Sequence, residues 1–415
     1  GVQTCALPIL YLLDDNEFVV MDRNGVSILS ANGERIDKNI YKVTWSEDAA
    51  EKGGYDSFML KEIHEQPKAI KDTISSRVSI ENGVFFDDFK LSKQDLDNVD
   101  RVFIVACGTA YHAGLMGKTL IERMAKIPVE VDIASEFRYR NPLVTEKSLV
   151  IIVSQSGETA DTLAALRDCN RIGARTLAIT NVVGSTISRE ANDVIYTMAG
   201  PEIAVASTKA YTTQVVVMHL LALYFGKIKG ILEETKEKEI VRALLILPDR
   251  IEKLLEEKEN IEDIARLLAK EEDLFFLGRG MDYALALEGS LKLKEISYIH
   301  CEAYAGGELK HGTIALIEPG TKVIGLFTQG DLKDKMVSNM VEVKARGANI
   351  IGLGYHGEEL DKSVFDYEIR IPQISDIVAP VLAVVALQLL AYYTAKEKGC
   401  DIDKPRNLAK SVTVE

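Results

Sequence analysis

The sequence has no CxxC pair. Its five cysteines (Cys5, Cys107, Cys169, Cys301 and Cys400) are scattered and odd in number. That excludes a disulfide scaffold and fits reduced thiols in a cytoplasmic protein. Positive charge is also in short supply: 49 Lys and Arg stand against 63 Asp and Glu, for a formal net charge of −14. Phosphate backbones reward basic surfaces, so nucleic acid is not expected as a partner. A small anion held by a local cluster of donors remains open. No secretory signal is evident at the N-terminus. Only one segment, 377–395, is apolar and long enough to suggest a membrane span, and it carries Pro380 and Gln388. The 415 residues, 47% hydrophobic and 27% charged, fit a soluble globular chain of two or three domains.

What is present is a repeat. Arg101–Tyr111 matches Asp273–Tyr283, each an apolar run entering a glycine turn, at an offset of about 172 residues. Leu149–Ser154 aligns with Lys322–Phe327, Thr176–Thr180 with Asn349–Leu353, and Asp193–Met198 with Phe365–Arg370. Each copy then has a proline (Pro201, Pro372) and a long apolar helix. Apolar runs alternating with helical stretches predict a parallel sheet flanked by helices in each copy, with ligands at the strand C-termini. The repeat also removes the membrane reading. Segment 377–395 is the counterpart of a helix over about 205–225, which carries Lys209, Gln214 and His219, and an all-apolar helix is expected where two domains pack.

Between the copies, Ile240, Leu244, Leu245, Ile251, Leu254 and Leu255 recur at helical spacing in a Glu- and Lys-rich background. This predicts a connecting helical pair on the surface. Near the N-terminus, Glu17–Met21, Val26–Leu29 and Tyr41–Trp45 read as strands, with Asn24-Gly25 and Asn32-Gly33 as turns. The piece is short for an independent core.

Three hydroxyls and a glycine, Ser154-Gln155-Ser156-Gly157-Glu158-Thr159, follow the apolar run 149–153. A helical pattern begins at Ala160. The free N–H groups and positive dipole end of such a helix suit a phosphate dianion, and the same residues suit a plain helix N-cap. Both readings stand on sequence alone. The second copy has Thr328–Leu332 there, and Asp331 would repel phosphate, so only the first copy is expected to hold the anion.

The second copy offers other chemistry. Glu288, Lys292 and Glu295 share one helical face, either as a surface salt-bridge ladder or as a proton-transfer set in a cleft. His311, in the loop Gly306–Gly312, is an acid/base candidate or a solvated histidine. Lys410, in the tail Pro405–Glu415, is by default an exposed lysine.

Seven stretches together resemble the glucosamine-6-phosphate synthase family of glutamine-dependent fructose-6-phosphate aminotransferases. They are Cys107–Tyr111, Ala134–Arg140, Ser154–Thr159, Val205–Lys209, Ala286–His300, Gly307–Gly312 and the tail through Glu415. The resemblance implies an α/β chain of two tandem SIS (sugar isomerase) domains behind a β-rich remnant of a glutaminase domain. The implied segments are remnant 1–62, linker 63–90, first SIS domain 91–229, helical connector 230–262, second SIS domain 263–400 and catalytic tail 401–415.

By the same resemblance, the chain is an aminotransferase and ketose–aldose isomerase that turns fructose 6-phosphate into glucosamine 6-phosphate in amino-sugar biosynthesis. Ser154, Gln155, Ser156 and Thr159 hold the phosphate, and Thr109, Val205, Ser207 and Ala409 surround the sugar. Lys410 forms a Schiff base at C2, Glu295 moves the proton between C1 and C2, and Lys292 assists. His311 opens the ring from a neighbouring subunit, so the active unit is at least a homodimer. Neither a cofactor nor a metal is implied. Ammonia comes from glutamine in the full-length enzyme, but Cys5 is not in the family's nucleophile motif, so this chain is expected not to hydrolyse glutamine. The alternative is a non-catalytic SIS-type sugar-phosphate sensor.

Overall fold

The computed structural model describes residues 9–11, 13–14, 16–23, 25–42, 51–87, 89–358 and 360–414. Cys5, Asn24, Thr44 and Trp45 lie outside the described residues. The chain divides into two compact units, 1–51 and 52–415.

In the first unit, Glu17–Asp22, Gly25–Ser30 and Arg35–Ile36 form an antiparallel sheet, and Ile9–Tyr11 pairs with Ile40–Lys42. Gly33, at φ 80°, makes the expected turn in the left-handed region. Phe18, Val20 and Met21 are exposed, as the small size of this sheet requires.

The second unit holds the two copies. In the first, Arg101–Ala106, Val129–Ile133, Ser148–Ser154, Arg175–Thr180 and Asp193–Tyr196 form one sheet. In the second, the strands are Asp273–Gly278, His300–Ala305, Lys322–Leu326, Asn349–Tyr355 and Tyr367–Ile371. Every pairing is parallel. Numbered within each copy, both sheets have the order 2-1-3-4-5, so the repeat is one of topology as well as sequence. The second strand of each copy escapes sequence reading. Val129–Ile133 and His300–Ala305 are edge strands with charged, partly exposed residues, so they lack the continuous apolar run of buried parallel strands.

Side-chain alternation along the strands builds three cores. Val102, Ile104, Leu149 and Ile151 of the first sheet, with Leu274, Phe276, Ile324 and Ile351 of the second, face one shared core. The helices Gly108–Ala125, Lys209–Lys229, Met281–Ser297 and Ala379–Glu397 supply the rest of it. Phe103, Val105, Val150 and Ile152 face outward into a second core, and Phe275, Leu277 and Val323 into a third. Helices approach closely where glycine allows it: a Cβ at Gly117 would lie 2.6 Å from Met218 Sδ, and one at Gly289 2.6 Å from Leu387 Cδ1.

The helix Ala379–Glu397 is long and apolar enough to span a membrane, yet 89% of its most apolar window is buried inside the fold. Its counterpart begins at Lys209, so Val205–Thr208, expected within that helix, forms a loop instead. The connecting pair is Glu234–Glu256 and Glu259–Leu268. It is less superficial than expected, because Ile240, Leu244, Leu247, Ile251 and Leu254 are buried, whereas Leu245 faces solvent. Residues 63–90, expected as a linker, are built into the body: the helix Gln66–Ser75 and a short hairpin bury Ile70, Ile74, Phe86 and Phe89.

Candidate functional site

The order 2-1-3-4-5 reverses direction between strands 1 and 3, and ligands bind outside the strand C-termini at such a switch point. In the first copy those strands end at Ala106 and Ser154. A cavity of about 290 Å³ opens there, close to the lower limit of roughly 300 Å³ for small-ligand sites. From the first copy it is lined by Thr109, by Ser154, Gln155, Ser156 and Thr159, and by Val205 and Ser207. The second copy contributes Lys292 and Glu295, and the tail contributes Ala409 and Lys410. His311 does not line it. That residue lies exposed in the short turn Glu308–His311.

The hydroxyl turn does not act as a helix cap. Thr159 occupies the cap position of Ala160–Ile172 but makes no capping hydrogen bond; its hydroxyl lies 3.1 Å from Ser154 Oγ. Ser154 Oγ accepts from Gly157 N–H at 3.0 Å and Ser156 Oγ from Glu158 N–H at 3.2 Å. Gly157 is required, because its φ is 68° and a Cβ there would lie 2.1 Å from Ser185 Oγ. The turn thus presents hydroxyls to the cavity at the positive end of a thirteen-residue helix.

The tail crosses the site and is tied at both ends. Asp403 carboxylate oxygens accept from the N–H groups of Phe58 and Met59, both at 3.0 Å, and its carbonyl accepts from Val205 N–H at 3.0 Å. The Arg406 guanidinium stacks 4.1 Å from the Tyr298 ring. Further on, Ser411 Oγ lies 3.0 Å from Ser156 Oγ, and Val412 carbonyl accepts from Ala160 N–H at 3.0 Å. Lys410 is therefore held over the cavity rather than free in solvent. Its Nζ lies 2.5 Å from Glu202 Oε2 and 3.4 Å from Ser207 Oγ.

The ladder on Met281–Ser297 is buried, not superficial. Lys292 is 1% exposed; its Nζ is 2.7 Å from Glu295 Oε2 and 3.6 Å from Glu288 Oε1. Burial lowers the Lys292 pKa, but the charges of Glu295 and Glu288 outweigh it and hold it above its ordinary value. Glu288 also reaches the first copy. Its oxygens take Thr109 Oγ1–H at 3.1 Å and meet His112 Nδ1 at 2.8 Å, bridging the two copies.

Gln214 Oε1 is buried without a hydrogen-bond partner, and its side chain lines the cavity together with the Lys292–Glu295 pair. Buried polar atoms are normally satisfied, so a polar ligand is the natural partner. Sequence reasoning missed Gln214, Glu202 and His112; the last two meet partners distant in sequence, Lys410 and Glu288. Among the described residues no group of three or more His, Cys, Asp or Glu is placed to hold a metal ion.

Residues 95–224 and 267–396 each match the SIS domain family. Glutamine–fructose-6-phosphate aminotransferase (isomerizing) of Clostridium perfringens is 60% identical over 408 residues, 98% of this chain and 67% of that protein. The same enzyme of Clostridium tetani is 60% identical over 407 residues, again 98% and 67%. Among solved structures, the C-terminal domain of glucosamine-fructose-6-phosphate aminotransferase from Francisella tularensis superposes with a TM-score of 0.81 at 40% identity. It covers 86% of this chain and 100% of that one. The chain thus spans about two thirds of the length of the curated relatives it matches.

Proposed function

The chain belongs to the family of isomerizing glutamine–fructose-6-phosphate aminotransferases, and from that premise we propose that its cavity binds fructose 6-phosphate and carries out the isomerase half of glucosamine 6-phosphate formation. The observation that carries this reading is a convergence. A hydroxyl turn from the first copy, a buried Lys–Glu pair from the second and a lysine from the tail line one small cavity.

The roles proposed are those the family resemblance implies, carried by residues that line the cavity. Ser154, Gln155, Ser156 and Thr159 take the phosphate at the helix N-terminus. Thr109, Val205, Ser207 and Ala409 border the sugar. The Lys410 amine attacks the C2 carbonyl, water leaves, and C2 is held as an imine. Glu295 then removes a proton from C1 and returns it to C2, carrying the ketose oxidation level to the aldose. Lys292, paired with Glu295, steadies the charge that develops between C1 and C2. Ammonia is the nitrogen donor: it adds to the Lys410 imine and expels the lysine amine before Glu295 moves the C1 proton, and in longer relatives glutamine is its source. His311 is exposed and away from its own chain's cavity, as suits a residue that opens the sugar ring in a neighbouring subunit of a homodimer. The setting is cytoplasmic. A sensor needs the phosphate turn but has no use for the buried Lys292–Glu295 pair.

Borohydride reduction in the presence of fructose 6-phosphate, read by mass spectrometry, tests this. A reduced sugar adduct on Lys410 is expected, lost in Lys410→Arg. Fructose 6-phosphate bound with no adduct on Lys410 would favour the sensor reading.

A further inference from the structure

Two buried glutamates beside Lys410 have no part in the scheme above. Glu202 is fully enclosed, and its Oε1 accepts from Thr208 N–H at 2.9 Å and Ala210 N–H at 3.0 Å. Its other oxygen faces Lys410 Nζ at 2.5 Å. Glu62 comes from the helix Phe58–His64, outside both SIS matches. Its Oε1 accepts from Ile203 N–H at 2.6 Å and Ala204 N–H at 3.2 Å, and its Oε2 is buried with no partner. Together they pin the loop 202–210, which places Val205 and Ser207 on the cavity wall.

We propose that Glu202 is the proton acceptor that readies Lys410 for attack, and that Glu62 is a positioning residue for the loop that carries it. The proposal rests on the reading of Lys410 as the imine-forming amine. An ammonium cannot attack a carbonyl, and the proton it releases is taken most directly by an acceptor within hydrogen-bond reach. Lys410 has Glu202 Oε2 and, more distantly, Ser207 Oγ. One proton passes from Nζ to the Glu202 carboxylate, and the freed amine adds to C2. Glu202 returns that proton to the former carbonyl oxygen, a second moves there from nitrogen, and water departs. The three protons of the ammonium end as one on the imine nitrogen and two on water.

The surroundings keep this acceptor ionised. Burial penalises a charge on Glu202, but the Lys410 charge and hydrogen bond and the N–H groups of Ala210 and Thr208 outweigh it and keep the carboxylate ionised. Burial and then the Glu202 charge push Glu62 up to about 8, so the pair carries one negative charge at neutral pH. The charge of Lys292 also reaches Glu202.

Glu202→Gln tests the proposal, since an amide keeps an acceptor for Thr208 and Ala210 but takes no proton. Wild type and variant are compared for fructose 6-phosphate binding and for the rate of the borohydride-trapped Lys410 adduct from neutral to alkaline pH. Unchanged binding with adduct formation slowed about a hundredfold at neutral pH, and partly recovered in Glu202→Asp, is expected. An unchanged rate overturns the proposal. So does a faster one with its rise moved to lower pH, because Glu202 would then only hold Lys410 protonated. Should the glutamine variant not fold, Glu202→Asp serves alone: it must slow the adduct while binding the sugar normally, and an unaltered rate overturns the proposal. Absence of any adduct in wild type would instead overturn the reading of Lys410.

Discussion

The two copies share a fold and a strand order, yet they line the same strand ends differently: hydroxyls and Lys410 in the first, and Gln329, Asp331 and Asp376 around a cavity of about 540 Å³ in the second. One difference is a side chain in the first turn of an equivalent helix. In the first copy, Ala110 opens the helix Gly108–Ala125 and leaves room for the cavity. At the matching position the second copy has Asp282, fully buried, accepting from Thr328 N–H at 2.8 Å and from the Thr328 hydroxyl. Asp376 accepts from Gly330 N–H at 2.8 Å. Backbone donors at the turn are thus taken by the protein's own carboxylates. Asp331, expected from the sequence to repel phosphate, is exposed. Its counterpart Glu158 is equally acidic and instead accepts from Thr186 N–H at 2.7 Å. Asp282, beneath the turn, is the acid that takes one of its backbone donors.

The comparison is broken most severely by moving the plug. Ala110→Asp puts a carboxylate where the first copy needs space and positive potential. Two like charges at about 4 Å cost on the order of 4 kcal/mol at an effective dielectric of 20. Sugar-phosphate binding, measured by calorimetry, should weaken by about a thousandfold while the fold survives, as it does around Asp282. Binding within about threefold of wild type would mean that a carboxylate at this position does not by itself keep a phosphate out of a cradle.

A middle effect sharpens what the open cradle contributes. Ser154→Ala removes the hydroxyl that holds Gly157 N–H and Thr159 Oγ. A lost hydrogen bond to a charged ligand is worth about 1.5–3 kcal/mol, so fructose 6-phosphate affinity should fall by about ten- to a hundredfold. The rate at saturating sugar should hold steadier, because in the proposed scheme this turn grips the phosphate and does none of the proton transfer.

Much of this was legible in the sequence, for physical reasons. Central parallel strands are continuous apolar runs, and the hydroxyl turn is a contiguous motif, so both are written locally. The repeat supplied the two-copy architecture because equivalent strands keep equivalent patterns. What stayed hidden depends on contacts between distant segments. Asp282 meets Thr328, Glu62 meets Ile203, and Glu202 meets Lys410 only after the chain has folded. The Lys292 ladder had the spacing of a surface helix, and only its burial decided the matter.

The smallest effect tests the plug by its titration. Burial pushes the Asp282 carboxyl up from its ordinary 3.8 to about 6, against the opposing hydrogen bonds from Thr328. Between those pH values the folded chain retains a proton that the unfolded chain has released. Stability contributed at this position is therefore present below pH 3.8 and lost as pH rises to about 6, beyond which the penalty is constant. The side-chain amide introduced by Asp282→Asn has no proton to lose in this range, and its oxygen still accepts from Thr328 N–H. The variant's Tm should gain on wild type as pH rises from about 4 to 6 and then run parallel, a difference on the order of 2 kcal/mol, with isomerisation at neutral pH unchanged. Ala110 cannot titrate, so this slope belongs to the second copy alone. Parallel Tm curves across the whole range would mean that Asp282 is ionised at no cost, and that a cradle for an anion can hold a built-in carboxylate as easily as a bound phosphate.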